Sequence, residues 1–118
     1  MIKLKPIQQQ VIVLTGASSG IGLVTARMAA KRGAKLVLVA RDESALQQLA
    51  DEINGSGGAA IAVAADVGEE VQLRQVAQVA IEHFGGFDTW INNAGVSIFG
   101  RLDPVSYTHL TLPTIYSV

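Results

Sequence analysis

Cysteine is absent from the 118 residues. That excludes disulfides and thiolate metal sites, and it removes any sign of an oxidising compartment. No apolar run approaches the ~20 residues of a membrane span. The first ten residues carry Lys3 and Lys5, then Pro6 and three glutamines, and lack the apolar centre of a secretory leader. Charge of one sign is also missing, since nine Lys and Arg face ten Asp and Glu for a formal net charge of -1. That balance makes no electrostatic case for nucleic acid or an anionic membrane surface as a partner. Aromatics are sparse at 5% while hydrophobic residues reach 49%, which is the composition of one globular unit built on aliphatic side chains. The expectation is a cytoplasmic protein.

What is present is an alternation of short apolar runs and helical periods. Val11–Leu14 reads as a buried strand, Gly20 to about Arg32 as a helix stopped by Gly33, and Lys35–Ala40 as a second strand. The apolar positions Ile21, Val24, Met28 and Ala29 support the first helix, and Met28 and Trp90 are assigned to the core. Asp42 or Ser44 can cap a second helix reaching about Asn54, with Leu46, Leu49, Ala50 and Ile53 on one face. Ala59–Ala65 reads as a third strand. A third helix is expected from Glu69 to about Phe84, ended by Gly85-Gly86, and a fourth strand from Phe87 to Asn92. Strands alternating with helices imply parallel pairing through right-handed crossovers. The fold class is α/β, a Rossmann-type doubly wound parallel sheet of order 3-2-1-4.

Between the first strand and the first helix lies Thr15-Gly16-Ala17-Ser18-Ser19-Gly20-Ile21-Gly22. Glycines there let the backbone approach a pyrophosphate, and the helix start offers unpaired N–H groups and a positive dipole end to the anion. A tight strand-to-helix connection without a ligand remains the alternative for such a loop seen alone. Three further strand ends carry chemistry. Arg41 follows the second strand, where a guanidinium suits a 2′-phosphate better than a 2′-hydroxyl, although a solvated arginine is the plain alternative. The neighbouring Asp42 either caps the helix or weakens phosphate binding. Asp66-Val67 follows the third strand and can meet an adenine amino edge, or Asp66 can merely cap the next helix. Asn92-Asn93-Ala94-Gly95 ends the fourth, with amides able to tie strand ends together and small residues leaving room for a ribose. An ordinary Asn/Gly turn is the alternative there.

The spacing Thr-Gly-x-x-x-Gly-x-Gly, followed on the fourth strand by Asn-Asn-Ala-Gly, resembles the short-chain dehydrogenase/reductase family over about residues 8–104. The glycine spacing differs from that of the epimerase-like branch. The resemblance implies an NADP(H)-dependent oxidoreductase that moves a hydride between nicotinamide and an alcohol or carbonyl carbon of a small molecule. NADP is expected in preference to NAD, on Arg41. The implied cofactor residues are Thr15, Gly16, Ser18, Ser19, Gly20, Ile21, Gly22, Arg41, Asp66, Val67, Asn93, Ala94 and Gly95. Set beside the family, this chain is expected to be only the N-terminal half of the sheet, truncated, with the fourth strand left as an unpaired edge and an aggregation hazard. A longer parent would be a homo-oligomer, and this fragment is not expected to assemble natively.

The family's catalytic Ser and Tyr-x-x-x-Lys have no counterpart here. Tyr107 is followed four positions on by Thr111, Tyr116 has two residues after it, and Ser106 directly precedes Tyr107. No catalytic residue carries over and no metal ligand set is implied, so the chain is expected to be inactive alone. Residues 1–104 read as the N-terminal part of a nucleotide-binding domain. Val105–Thr114 shows neither helical nor strand period and matches one reading frame of transposon-end sequencing-adapter DNA, with Ile115–Val118 read as index sequence or further read-through. The expectation is a non-native tail, with a genuine irregular segment as the alternative. A non-catalytic nucleotide-binding module is the other reading of function.

Overall fold

The computed structural model describes residues 5–18, 20–93 and 114–117. A short 3-10 turn at Ile7–Gln9 leads into β1 (Val11–Thr15), α1 (Gly20–Lys31), β2 (Lys35–Ala40), α2 (Glu43–Gly55), β3 (Ala59–Ala64), α3 (Glu70–Phe84), β4 (Thr89–Asn92) and β5 (Thr114–Ser117). The sheet order is β3-β2-β1-β4-β5. The first four strands pair in parallel, with Val13 opposite Val37 and Trp90, and Val37 opposite Ile61. The expected 3-2-1-4 order is therefore present, and strand order reverses beside β1.

Side chains alternate across the sheet because successive residues of a strand point to opposite faces. Ile12, Leu14, Leu36, Leu38, Ala40 and Ala60 meet α1 and α2 on one face. Val11, Val13, Val37 and Val39 meet Val76 and Ala80 of α3 on the other. Both faces of β1 and β2 are thus covered, which is why these strands read as unbroken apolar runs. The helices fall on opposite faces because a right-handed crossover from β1 to β2 and one from β3 back to β4 travel in opposite directions.

Two expectations change. The periodicity of α1 is helical, but its buried positions are Gly22, Ala26 and Ala29, while Ile21, Val24 and Met28 are 56%, 54% and 54% exposed. Met28 is therefore not a core residue, and Trp90 is only half-buried. Small residues face the sheet because α1 must lie close to it where the chain leaves β1. The second correction concerns β4. It is not an edge: Thr114–Ser117 pairs with it antiparallel, Asn92 opposite Thr114 and Thr89 opposite Ser117. Residues 114–117, within the segment expected to be a non-native tail, are therefore extended and supply the ladder that β4 needs.

Boundaries shift slightly elsewhere. β3 ends at Ala64, α3 starts at Glu70 and β4 starts at Thr89. Asp42 is the cap of α2, its side chain accepting from Ala45 N–H at 3.1 Å. Gly33 and Gly85 take φ of +92° and +85° at the ends of α1 and α3, as helix-stopping glycines do.

Candidate nucleotide site

Parallel pairing puts the C-terminal ends of four strands along one margin of the sheet. Thr15 lies opposite Val39 and Asn92, and Ala40 lies opposite Ala64. The loop after β1, Arg41, Asp66 and Asn93 therefore line one edge, at the place where strand order reverses. Ligands of open α/β sheets bind in that crevice.

The loop is shaped by its glycines and braced from β4. Gly16 and Gly20 have φ of +68° and +58°, a region costly for residues with a Cβ. A Cβ on Gly22 would lie 2.0 Å from the Gly16 carbonyl oxygen and 2.6 Å from Asn93 Nδ2. The first turn of α1 thus sits against the loop backbone at a distance only glycine allows. Thr15 is fully buried. Its hydroxyl donates to Asn92 Oδ1 at 2.7 Å and accepts from Asn93 N–H at 3.0 Å. Asn93 Nδ2 donates to the Gly16 carbonyl at 3.4 Å. From the β2 side, Val39 carbonyl accepts from Ala17 N–H at 3.2 Å. The loop is held on both flanks before any ligand arrives, and the helix start behind it provides the anion-attracting backbone. This close-approach cradle fits a pyrophosphate.

At the outer strand ends, Arg41 is exposed and makes no side-chain hydrogen bond or ion pair among the described residues. Asp42 caps α2 through its side chain, as one of the two readings given for it expects. Asp66 and Val67 are half-buried just beyond β3. Asp66 does not cap α3: the cap position is Glu69, and Asp66 Oδ1 accepts from Gly68 N–H at 2.9 Å. Ser18 is half-buried, and Gly20 and Ile21 are exposed beside the cradle. Ser19, Ala94 and Gly95 lie outside the described residues. Sequence reasoning missed Ala17, whose amide anchors the loop, and Gln72, whose side chain holds Asp66; no local pattern marks either. It named Asn92 as a possible tie between strand ends without including it in the site.

A groove of about 700 Å³ opens elsewhere, between the C-terminal ends of α1 and α2, lined by Arg27, Lys31, Lys35, Glu52 and neighbouring backbone. It is at the opposite margin of the sheet, and an Arg27–Glu52 ion pair at 2.8 Å already occupies its charged wall. Among the described residues no group of three or more His, Cys, Asp and Glu could hold a metal ion, and no helix is long and apolar enough to cross a membrane.

Residues 10–111 match the family model for short chain dehydrogenase. The chain belongs to the short-chain dehydrogenase family. Among curated relatives of this family, the uncharacterized oxidoreductase YxnA of Bacillus subtilis is 61% identical over 100 residues, which are 85% of this chain and 28% of YxnA. A dehydrogenase/reductase of CLA biosynthesis from Lactiplantibacillus plantarum is 39% identical over 84% of this chain and 35% of its own length. Among solved structures, L-sorbose reductase of Gluconobacter frateurii, complexed with NADPH and L-sorbose, superposes with a TM-score of 0.71 at 38% identity, covering 80% of this chain and 38% of that one. A short-chain dehydrogenase of Burkholderia phymatum in complex with NAD gives 0.69 at 36% identity over 72% of this chain and 30% of that one. The chain therefore spans well under half the length of these relatives.

Proposed function

We propose that this chain is the N-terminal part of an NADP(H)-dependent short-chain oxidoreductase, and that it supplies the adenosine and pyrophosphate half of the cofactor site. The observation that carries this reading is the glycine cradle after β1, braced by Thr15 and Asn93 at the point where strand order reverses. Similar proteins hold NADPH or NAD, which supports a nicotinamide dinucleotide as the occupant. The bound dinucleotide supplies hydride chemistry at an alcohol or carbonyl carbon of a small molecule.

The residues present bind and orient. Thr15 braces the turn, and Gly16, Ser18, Ser19, Gly20, Ile21 and Gly22 surround the pyrophosphate and neighbouring ribose. Arg41 takes the 2′-phosphate, supported by Asp42 bonding to its own helix and by the guanidinium making no ion pair among the described residues. Asp66 and Val67 meet the adenine edge, and Asn93, Ala94 and Gly95 face the ribose. Proton transfer and nicotinamide orientation belong to residues of a longer parent, so this chain alone is inactive. Residues 1–104 represent the parent, and 105–118 a segment foreign to it. The parent is a cytoplasmic homo-oligomer.

Two experiments test this. Reading the source gene beyond the codon for Pro104 finds a frame that continues into Tyr-x-x-x-Lys; a stop after Val118 overturns the assignment of a catalytic parent. Titrating the chain with NADPH and NADH finds NADPH bound more tightly, and Arg41→Ala reduces that preference by roughly tenfold, the contribution of one charge-assisted hydrogen bond. Equal loss for both cofactors overturns the role of Arg41.

A further inference from the structure

Beyond β3 the chain turns through Asp66, Val67 and Gly68 before entering α3, and nearly every polar atom of Asp66 is already committed. The last bond to β2 is Ala65 N–H to the Ala40 carbonyl at 3.0 Å. The Asp66 carbonyl then accepts from Glu69 N–H at 3.0 Å, and Asp66 Oδ1 accepts from Gly68 N–H at 2.9 Å. The Asp66 amide would be left over, because the strand has ended and α3 has not begun. Gln72, half-buried in the first turn of α3, takes it: Gln72 Oε1 accepts from Asp66 N–H at 2.7 Å. A side chain six residues ahead in sequence thus replaces the missing ladder partner. The carboxylate is left with one oxygen, Oδ2, without a hydrogen-bond partner among the described residues.

We propose that Gln72 is a positioning residue for adenine recognition, setting the angle at which Asp66 Oδ2 and the Val67 backbone meet the base. This rests on the reading that Asp66 and Val67 face adenine. The physical argument is one of restraint. A two-residue recognition edge on a turn is useful only if the turn cannot rotate, and rotation about the Asp66 backbone is blocked by the bond from its amide to Gln72. Without that acceptor the half-buried amide must find water, and the turn relaxes to let it do so. The carboxylate then loses its aim, while the pyrophosphate cradle, held by Thr15 and Asn93, is untouched.

The test uses the full chain, its Gln72→Met and Gln72→Glu variants, and two probes: NADPH and its hypoxanthine counterpart, in which a carbonyl replaces the adenine amino group. Wild type binds NADPH more tightly. Gln72→Met, similar in shape but lacking the amide oxygen, loses roughly three- to tenfold in NADPH affinity with little change for the hypoxanthine probe. Gln72→Glu keeps an acceptor and recovers most of the preference. Unchanged NADPH binding by Gln72→Met, or equal loss for both probes, overturns the proposal. Wild type that binds neither probe overturns the nucleotide site itself, and equal wild-type binding of both overturns the adenine assignment. A readout independent of any variant's folding is amide exchange at Asp66 in the wild type, which is slow with and without NADPH; fast exchange in both states also overturns the role of Gln72.

Discussion

Asp88 carries more of the fold than its position before a short strand suggests. Its carboxylate accepts from Val11 N–H at 2.8 Å, and its own N–H donates to the Val11 carbonyl at 2.8 Å. Lys5 sits 3.0 Å from the other carboxylate oxygen. The first residue of β1 is thereby stitched to the entrance of β4. The Val11 hydrogen bond foremost, and the Lys5 charge after it, hold the Asp88 pKa below its ordinary value against the opposing pull of burial. A lowered folded pKa means stability that is present above the unfolded value of about 3.9 and lost as pH falls through the folded one. Asp88→Asn keeps an oxygen acceptor but removes the charge. It should cost about 1 kcal/mol at pH 7, with the gap from wild type closing below about pH 4, as read by urea unfolding at both ends of that range. A gap that stays constant with pH would contradict the assignment. The Arg27–Glu52 pair has two good hydrogen bonds, but both side chains are about half exposed, so solvent screens it and it contributes little.

At the scale of elements, α2 and α1 differ in how far their sequences disclosed them. In α2 the stripe Leu46, Leu49, Ala50 and Ile53 is the buried stripe, because a helix lying over the middle of the sheet buries its largest apolar residues. In α1 the bulky stripe is outside and the small one inside. Periodicity gives the helix in both cases, but it cannot say which face a close approach to the sheet demands. The cap of α2 is separable from the site beside it. Asp42→Ala removes the bond to Ala45 N–H and should lower stability by about 1 kcal/mol, seen as a lower melting temperature, while the NADPH-to-NADH affinity ratio is retained. A changed ratio would mean that Asp42 also acts on the ribose end.

For the whole molecule, the decisive addition is β5. Parallel sheets leave an interior strand such as β4 with a row of unpaired N–H and C=O groups unless another strand arrives. Here the Thr114–Ser117 backbone fills that row, in the opposite direction to the other four strands. Ending the chain at residue 113 should therefore expose β4 and bring concentration-dependent association, measured by light scattering. A shortened chain that stays monodisperse would show that β5 does not protect this edge.

Much of this protein was determined by its sequence alone. The alternation of elements, the 3-2-1-4 order, both family motifs and the turn chemistry are local or topological, and chain handedness does the rest. The strand ends bearing Thr15, Arg41, Asp66 and Asn93 could be named because parallel crossovers bring every such end to one margin. Tertiary structure alone decided the buried face of α1, the partner of the β4 edge, the commitment of Asp42 to its helix and the hold of Gln72 on Asp66. Each of these depends on which polar group or surface lies within reach across the fold, and that is a distance in space with no period or spacing in the chain to announce it.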